Sequence, residues 1–110
     1  MEELKLLRRA IPVIPTKEKS ASALIFTGPC LLGGVKIITD GTNDATVKVY
    51  DALTATGDPV DSWVVTGGNN YGGTQYGYTP VTLSTGLYIS VSGTGAKYYA
   101  FYAPFSQLRT

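Results

Sequence analysis

Two short runs with a period of two, separated by a turn, constrain the fold of this chain more than any other feature. The runs cover residues 33–40 and 45–51, and in the first run Val35, Ile37 and Thr39 fall on one face. Such alternation is typical of half-buried β-strands. The residues between the runs favour turns, because glycine tolerates positive φ and Asn and Asp side chains hydrogen-bond to nearby backbone. This stretch therefore predicts a β-hairpin.

The same alternation continues along the rest of the chain, with glycine-rich turns between the runs. We expect the Gly33-Gly34 pair to form a β-bulge or a close backbone approach. The predicted strands are residues 21–27, 30–39, 45–51, 60–66, 79–83, 87–92 and 97–103. About seven short strands with no extended helical pattern predict an all-β protein, an antiparallel β-sandwich of Greek-key or jelly-roll type.

The chain divides into an arm, one domain and a tail. Its 110 residues fit a single domain of ordinary size. We predict an extended N-terminal arm over residues 1–20, the sandwich over residues 21–106 and a C-terminal tail over residues 107–110. Basic residues concentrate in the arm, which holds five of the nine. Two prolines, Pro12 and Pro15, favour an extended path there, and the polar residues 17–20 predict a hinge.

Composition excludes several classes of partner. Charged residues make up 15% of the chain and the net charge is +1, so binding to nucleic acid by bulk electrostatics is not expected. No apolar run reaches the roughly 18 residues that a membrane-spanning helix needs. The chain starts with Glu2 and Glu3, where a secretory signal would be basic. We therefore expect a protein that is made in a reducing cytoplasm and binds neither nucleic acid nor membrane.

The residue types argue against catalysis. Histidine is absent, which removes the usual general base and the commonest zinc ligand. The single cysteine, Cys30, is expected to be a small buried hydrophobe. Asp40, Thr42, Asn43 and Asp44 offer oxygen ligands for calcium, but an Asx-rich turn accounts for them better, since the EF-hand pattern is missing. We predict no enzymatic activity, no catalytic or metal-binding residues and no cofactor.

The arm is expected to dock on a partner. Leu4, Leu7 and Ile11 lie at helical spacing, and apolar side chains of this kind on a free tail usually mark a contact. A frayed terminus is the alternative. The residues of the arm that we predict to bind a partner are Leu4, Leu7, Arg8, Arg9, Ile11, Val13 and Ile14.

A tyrosine-rich stretch provides a second candidate surface. Residues 67–78 contain five glycines and three tyrosines, which predicts a long loop with exposed aromatic side chains rather than a packed strand. Tyr71, Tyr76 and Tyr78 could stack on sugar rings or contact another protein, since tyrosine is preferred at protein interfaces. Trp63 is expected to anchor the core, with a solvent-facing binding role as the alternative.

Two segments resemble a group of small proteins encoded among the structural genes of tailed bacteriophages. In that group a TDGTNDATVxVYD hairpin and a GLYxxVxGTGA hairpin recur. Residues 39–51 of this chain read TDGTNDATVKVYD and residues 86–96 read GLYISVSGTGA. The glycine pair Gly72-Gly73 with its tyrosines resembles the link between these hairpins. The similarity covers roughly residues 22–102, and it consists of turn and strand signatures rather than site signatures.

The resemblance implies a component of the virion, made in the host cytoplasm. The most plausible role is a capsid decoration, or cement, protein on the capsid surface. Such a protein binds the major capsid protein and its own copies, commonly as a homotrimer. A tail or fibre domain, or an adaptor, that binds a host-surface glycan or another tail component is the alternative. The arm lies outside the similar segments, so its role rests on its own residues.

Overall fold

The described part of the chain contains nine β-strands. The computed structural model describes residues 13–68, 71–76 and 80–105. The strands are β1 (Ile14–Pro15), β2 (Ala23–Thr27), β3 (Cys30–Ile38), β4 (Ala45–Tyr50), β5 (Asp61–Val65), β6 (Tyr71–Gln75), β7 (Val81–Leu83), β8 (Gly86–Ser92) and β9 (Lys97–Pro104). Within these ranges no helix is long and apolar enough to cross a membrane.

The strands form two antiparallel sheets that pack on each other. The β3 sheet has the order β1-β9-β3-β6, and β7 also pairs with β3 beyond the end of β6. The β4 sheet has the order β2-β8-β4-β5. The prediction of an all-β antiparallel sandwich is thus confirmed, while the Greek-key or jelly-roll assignment stays a prediction.

The predicted hairpin over residues 33–51 is wrong. Its two strands, β3 and β4, lie in different sheets, so the turn between them carries the chain from one sheet to the other. The second hairpin implied by the resemblance differs in the same way, because β8 and β9 also belong to different sheets. Alternation of apolar residues reports which face of a strand is buried, and it does not report which strand lies alongside.

The core lies between the sheets and reflects the predicted alternation. In β3, Cys30 and Leu32, which precede the glycine pair in the sequence, and Val35 and Ile37, which follow it, are all fully buried. These positions are out of step with a strict period of two. A register shift between Leu32 and Gly34 in the pairing with β9 restores the inward direction. The predicted bulge is therefore confirmed, and the other fully buried large side chains are Val47, Val49, Leu83, Leu87, Ile89 and Tyr98.

Part of the tyrosine-rich stretch is a strand, so its prediction as a loop is wrong over residues 71–75. These residues form β6 and pair with β3 from Gly34 to Ile38. Two glycines make this pairing possible. An added Cβ on Gly72 would lie 2.6 Å from the Val65 side chain, and one on Gly73, whose φ is +111°, would lie 2.1 Å from the Val35 carbonyl oxygen. Gly72 thus allows close approach between the two sheets, and Gly73 allows close approach to the paired strand β3.

Candidate interaction surfaces

Only the last part of the predicted N-terminal arm falls within the described residues. Leu4, Leu7, Arg8, Arg9 and Ile11 lie outside them. Val13 is 43% exposed, and Ile14 is half-buried opposite Tyr102 in the pairing of β1 with β9. An added Cβ on Gly33 would lie 3.2 Å from Val13 Cγ1, so both Val13 and Ile14 lie against the domain of their own chain.

The segment that follows continues along the edge of β9. The Thr16 amide donates to the Ala100 carbonyl oxygen at 2.8 Å, and the Ala100 amide donates to Thr16 Oγ1 at 3.0 Å. Lys19 and Tyr98 exchange two backbone hydrogen bonds of 2.9 Å. The prediction of a hinge over residues 17–20 is wrong at Lys19, because a free strand edge on β9 offers its backbone groups a partner.

Side chains add to this contact. The Tyr99 hydroxyl donates to Glu18 Oε2 at 2.9 Å, and Lys97 Nζ lies 3.3 Å from Glu18 Oε1. The hydrogen bond from Tyr99, together with Lys97, lowers the pKa of Glu18, and the same bond raises the pKa of Tyr99. The charges at this edge are thus partly paired.

The three tyrosines predicted to bind a partner lie in different environments. Tyr71 is 70% exposed at the start of β6. Tyr76 is half-buried and its hydroxyl donates to Asp61 Oδ2, and burial together with this bond raises the pKa of Tyr76. Tyr78 lies outside the described residues. Tyr76 is therefore engaged within the fold, whereas Tyr71 presents its ring to solvent.

Trp63 joins the two sheets on the side of the molecule where Tyr71 and Tyr76 lie. Its ring packs against the core as predicted, and its Nε1–H donates to Thr74 Oγ1 at 2.9 Å. Trp63 lies on β5 and Thr74 on β6, which are neighbouring edge strands of different sheets. The large apolar area of its ring predicted that Trp63 anchors the core, but no spacing in the sequence indicates its polar partner.

The two segments that carry the phage resemblance meet at one end of the sandwich. The β3–β4 and β8–β9 turns contact each other closely. An added Cβ on Gly93 would lie 2.1 Å from the Asp44 carbonyl oxygen, and one on Gly95 would lie 2.7 Å from Asp40 Cβ. The β5–β6 connection packs there too, since the Gly67 amide donates to Asp44 Oδ1 at 2.8 Å. The turns of the two motifs therefore pack together at one end of the molecule.

Asp40 acts as the cap of its own turn. Its Oδ1 accepts the amides of Thr42 at 2.9 Å and Asn43 at 2.7 Å, and its Oδ2 accepts Asn43 Nδ2 at 2.7 Å. The Asn43 amide, followed by the Thr42 amide, lowers the pKa of Asp40. The predicted Asx turn is confirmed, and it accounts for the oxygen-rich sequence at this position.

Asp51 has a role that sequence reasoning missed. Its carboxylate accepts the amides of Ser84, Thr85 and Gly86, and the Ser84 hydroxyl, at distances from 2.8 to 3.3 Å. These residues form the turn between β7 and β8. Burial raises the pKa of Asp51, but the hydrogen bonds from Thr85, Ser84 and Gly86 outweigh it and the net pKa is lowered. Asp51 thus joins the end of β4 to a distant turn.

Comparison of the chain with protein-family profiles, curated sequences and solved structures gives no match. A functional assignment therefore depends on the motifs of the sequence and on the surfaces described above.

Proposed function

We propose that this chain is a non-enzymatic structural protein of a bacteriophage virion, and specifically a capsid decoration protein that stabilises the head. The observation that carries the proposal is the resemblance of residues 39–51 and 86–96 to motifs that recur among small proteins of phage structural genes. The packing of these two segments supports it. Gly93 and Gly95 contact the turn that contains Asp40 and Asp44, so the motifs are parts of one structural unit.

The chemistry of the domain fits a protein that works by binding alone. The carboxylates of Asp40, Asp51 and Asp61 accept hydrogen bonds that hold turns and edges together. Cys30 is fully buried, and burial raises the pKa of its thiol to about 11. A neutral, buried thiol is a poor nucleophile. Decoration requires only a stable scaffold and surfaces that recognise neighbours.

Two surfaces are proposed to make those contacts. The first is the N-terminal segment 1–12, whose leucines and arginines would bind the major capsid protein. The second is the lateral surface of the sandwich, where Val64 is 65% exposed and Tyr71 is 70% exposed. Large exposed apolar side chains are enriched where proteins contact partners. Copies of the chain would associate through this second surface.

Co-sedimentation with phage heads tests the proposal. Heads of the phage that encodes the chain, purified without it, are mixed with the full chain and with a variant that lacks residues 1–12. We expect the full chain to sediment with the heads at saturating stoichiometry and the truncated chain to stay in solution. Failure of the full chain to bind would contradict the decoration role, and binding by the truncated chain would contradict the role of the segment.

A second candidate function is a fibre or adaptor domain that binds a glycan. The exposed ring of Tyr71, beside Gly72 and Gly73 on an edge strand, favours this candidate because sugars stack on accessible aromatic rings. The engagement of Tyr76 with Asp61 removes one of the three tyrosines from such a platform. A glycan array separates the two functions. Binding that is lost in Tyr71→Ala would favour the fibre role, and no binding at high protein concentration would reject it.

A further inference from the structure

The two lateral edges of the sandwich differ in charge. One edge consists of residues 13–19, which run along β9, together with Lys97. It carries Lys17, Lys19 and Lys97 against Glu18, which is a net charge of +2. We call it the basic edge. The hydrogen bond from the Tyr98 hydroxyl to the Ala21 carbonyl oxygen, 3.0 Å, brings the start of the β4 sheet to the same side.

The opposite edge is formed by β5 and β6 and by the loop that precedes β5. Asp58 and Asp61 lie in this part of the chain, and they give it a net charge of −2. The sequence has no lysine or arginine between residues 49 and 96, and the nearest lysines in the sheets lie one strand inward, where Lys48 pairs with Ser62 and Lys36 pairs with Gly73. We call this region the acidic edge. It lies across the sandwich from the basic edge, because β1 and β6 end the order of one sheet and β2 and β5 that of the other.

Both edges also expose apolar side chains. On the acidic edge Val60 is 44% exposed and Val64 is 65% exposed. On the basic edge Val13 is 43% exposed, and Leu24, on the neighbouring edge strand β2 of the other sheet, is 41% exposed. Opposite charges steer two surfaces together and exclude wrong orientations, whereas apolar contact contributes most of the affinity. The two edges are thus complementary in charge and alike in exposed apolar surface.

We propose that the acidic edge of one copy binds the basic edge of a second copy. This inference deepens the proposed function and rests on its self-association. The contact is heterologous, since each copy uses two different surfaces, and it closes into a ring when the rotation between copies permits. Like edges repel, so two copies do not pair acidic edge to acidic edge. The repulsion between acidic edges also keeps β5 or β6 of one copy from pairing with the same strand of a second copy.

The mass of the full chain in solution, measured by light scattering, tests the inference. We expect association at about 0.01 M salt and at least tenfold weaker association at about 1 M salt, because the Debye length falls from about 30 Å to about 3 Å. The variant Lys17→Glu/Lys19→Glu turns the charge of the basic edge from +2 to −2. The variant Asp58→Lys/Val60→Lys turns the charge of the acidic edge from −2 to +1. Each variant alone should associate at least tenfold more weakly than the unchanged protein.

Mixing the two variants is the decisive step. Each retains one intact edge, so a 1:1 mixture should form dimers that neither variant forms alone. The matched control is Lys36→Glu/Lys48→Glu, which changes the net charge by the same amount as the lysine variant but acts on β3 and β4, next to the acidic edge rather than the basic edge. Because it makes the surroundings of the acidic edge more negative, it should associate at least as strongly as the unchanged protein. Thermal unfolding checks that every variant is folded, and Lys17→Glu alone replaces the double variant if that one unfolds.

Four outcomes would overturn the inference: a protein that stays monomeric at low salt, lysine variants that associate normally, a control that is weakened equally, or variants that do not complement each other. The head-binding experiment is independent of these. Association without binding to heads would contradict the decoration role and leave the edge contact intact. Binding to heads by a strictly monomeric chain would contradict the edge contact alone.

Discussion

At the scale of single residues, stability at the ends of the sandwich depends on polar caps and close-packed glycines. Asp51 illustrates the caps, because its carboxylate accepts hydrogen bonds from three successive amides of the β7–β8 turn. Gly93 illustrates the glycines, because its φ is +116° and it packs on the Asp44 carbonyl. Asp51 thus satisfies the amides of a distant turn, whereas Gly93 provides both the positive φ of its own turn and the space for a contact with Asp44.

Replacement of Asp51 should destabilise the fold in a pH-dependent way. We expect Asp51→Ala to lower the free energy of unfolding by about 2 kcal/mol at pH 7, since several amides lose a charged acceptor. The pKa of Asp51 is lowered in the folded state, so its contribution is present above the unfolded pKa of about 4 and is lost as the pH falls through the folded pKa. Denaturant unfolding at several pH values measures this. The difference between the two proteins should shrink below about pH 4, and a constant difference would contradict the role of the charge.

A series of glycine substitutions separates backbone strain from close contact. Gly93→Ala should cost more than about 3 kcal/mol, because it adds a Cβ both at positive φ and 2.1 Å from the Asp44 oxygen. Gly57→Ala should cost about 1 kcal/mol, since Gly57 has a φ of +75° but open space around it. Gly68→Ala, with neither constraint, should change stability by less than about 0.5 kcal/mol. Thermal or chemical unfolding gives the order, and equal losses at Gly93 and Gly57 would contradict the importance of the contact.

At the scale of strands, the contact between β5 and β6 connects the two sheets at the acidic edge. Three contacts join β5 to β6 and to Tyr76, the residue that follows β6: the hydrogen bond of Trp63 with Thr74, that of Tyr76 with Asp61, and the packing of Gly72 on Val65. None of these joins hydrogen-bonded neighbours in one sheet. This edge of the sandwich is therefore closed by side-chain contacts rather than by backbone hydrogen bonds between β5 and β6.

A double-mutant cycle measures the contribution of this contact. Trp63→Phe keeps an aromatic ring but removes the indole donor, and Thr74→Val removes the acceptor with little change of shape. Each should cost about 1 kcal/mol, and the coupling energy should be about 0.5–1.5 kcal/mol because the residues bond directly. The pair Thr46→Val and Trp63→Phe serves as the control, since Thr46 pairs with Val64 rather than contacting the indole donor. Additive losses at Trp63 and Thr74 would contradict the bond.

The bulge in β3 was foreseeable from its sequence, and the position of β6 was not. The glycine pair interrupts a regular alternation, which is a local signal for a bulge. The sequence of β6 consists largely of small or polar residues, which are typical of a loop. Its glycines are needed because Val65 and Val35 lie too close for a larger residue, and both of these neighbours are distant in the sequence. A strand of this kind becomes visible only when the strand that it pairs with is known.

At the scale of the whole molecule, the N-terminal segment has two parts with different roles. Residues 13–19 cover the edge of β9 through backbone hydrogen bonds at Thr16 and Lys19. Residues 1–12 precede this contact and are proposed to bind the capsid. The predicted boundary at residue 20 therefore falls after a segment that belongs structurally to the sandwich.

Two truncations distinguish these roles. Deletion of residues 1–12 should leave the free energy of unfolding unchanged within about 0.5 kcal/mol, because it retains every described contact with β9. Deletion of residues 1–19 removes the pairing with β9 and should lower it by more than about 2 kcal/mol, while exposing an edge that promotes aggregation. Denaturant unfolding and light scattering report the two effects. Equal stability of both truncated proteins would show that residues 13–19 contribute nothing to the fold.

The sequence by itself determined which residues alternate between core and solvent, where the turns fall and where β3 bulges. These features follow from side-chain period and from the conformational freedom of single residues such as Gly33 and Asp40, which act over a few positions along the chain. Only the tertiary structure decided that β3 and β4 lie in different sheets, that Asp51 holds the Ser84 turn and that opposite charges lie on opposite edges. Those relations join residues distant in the sequence, and they arise because both sheets must bury their apolar faces against each other.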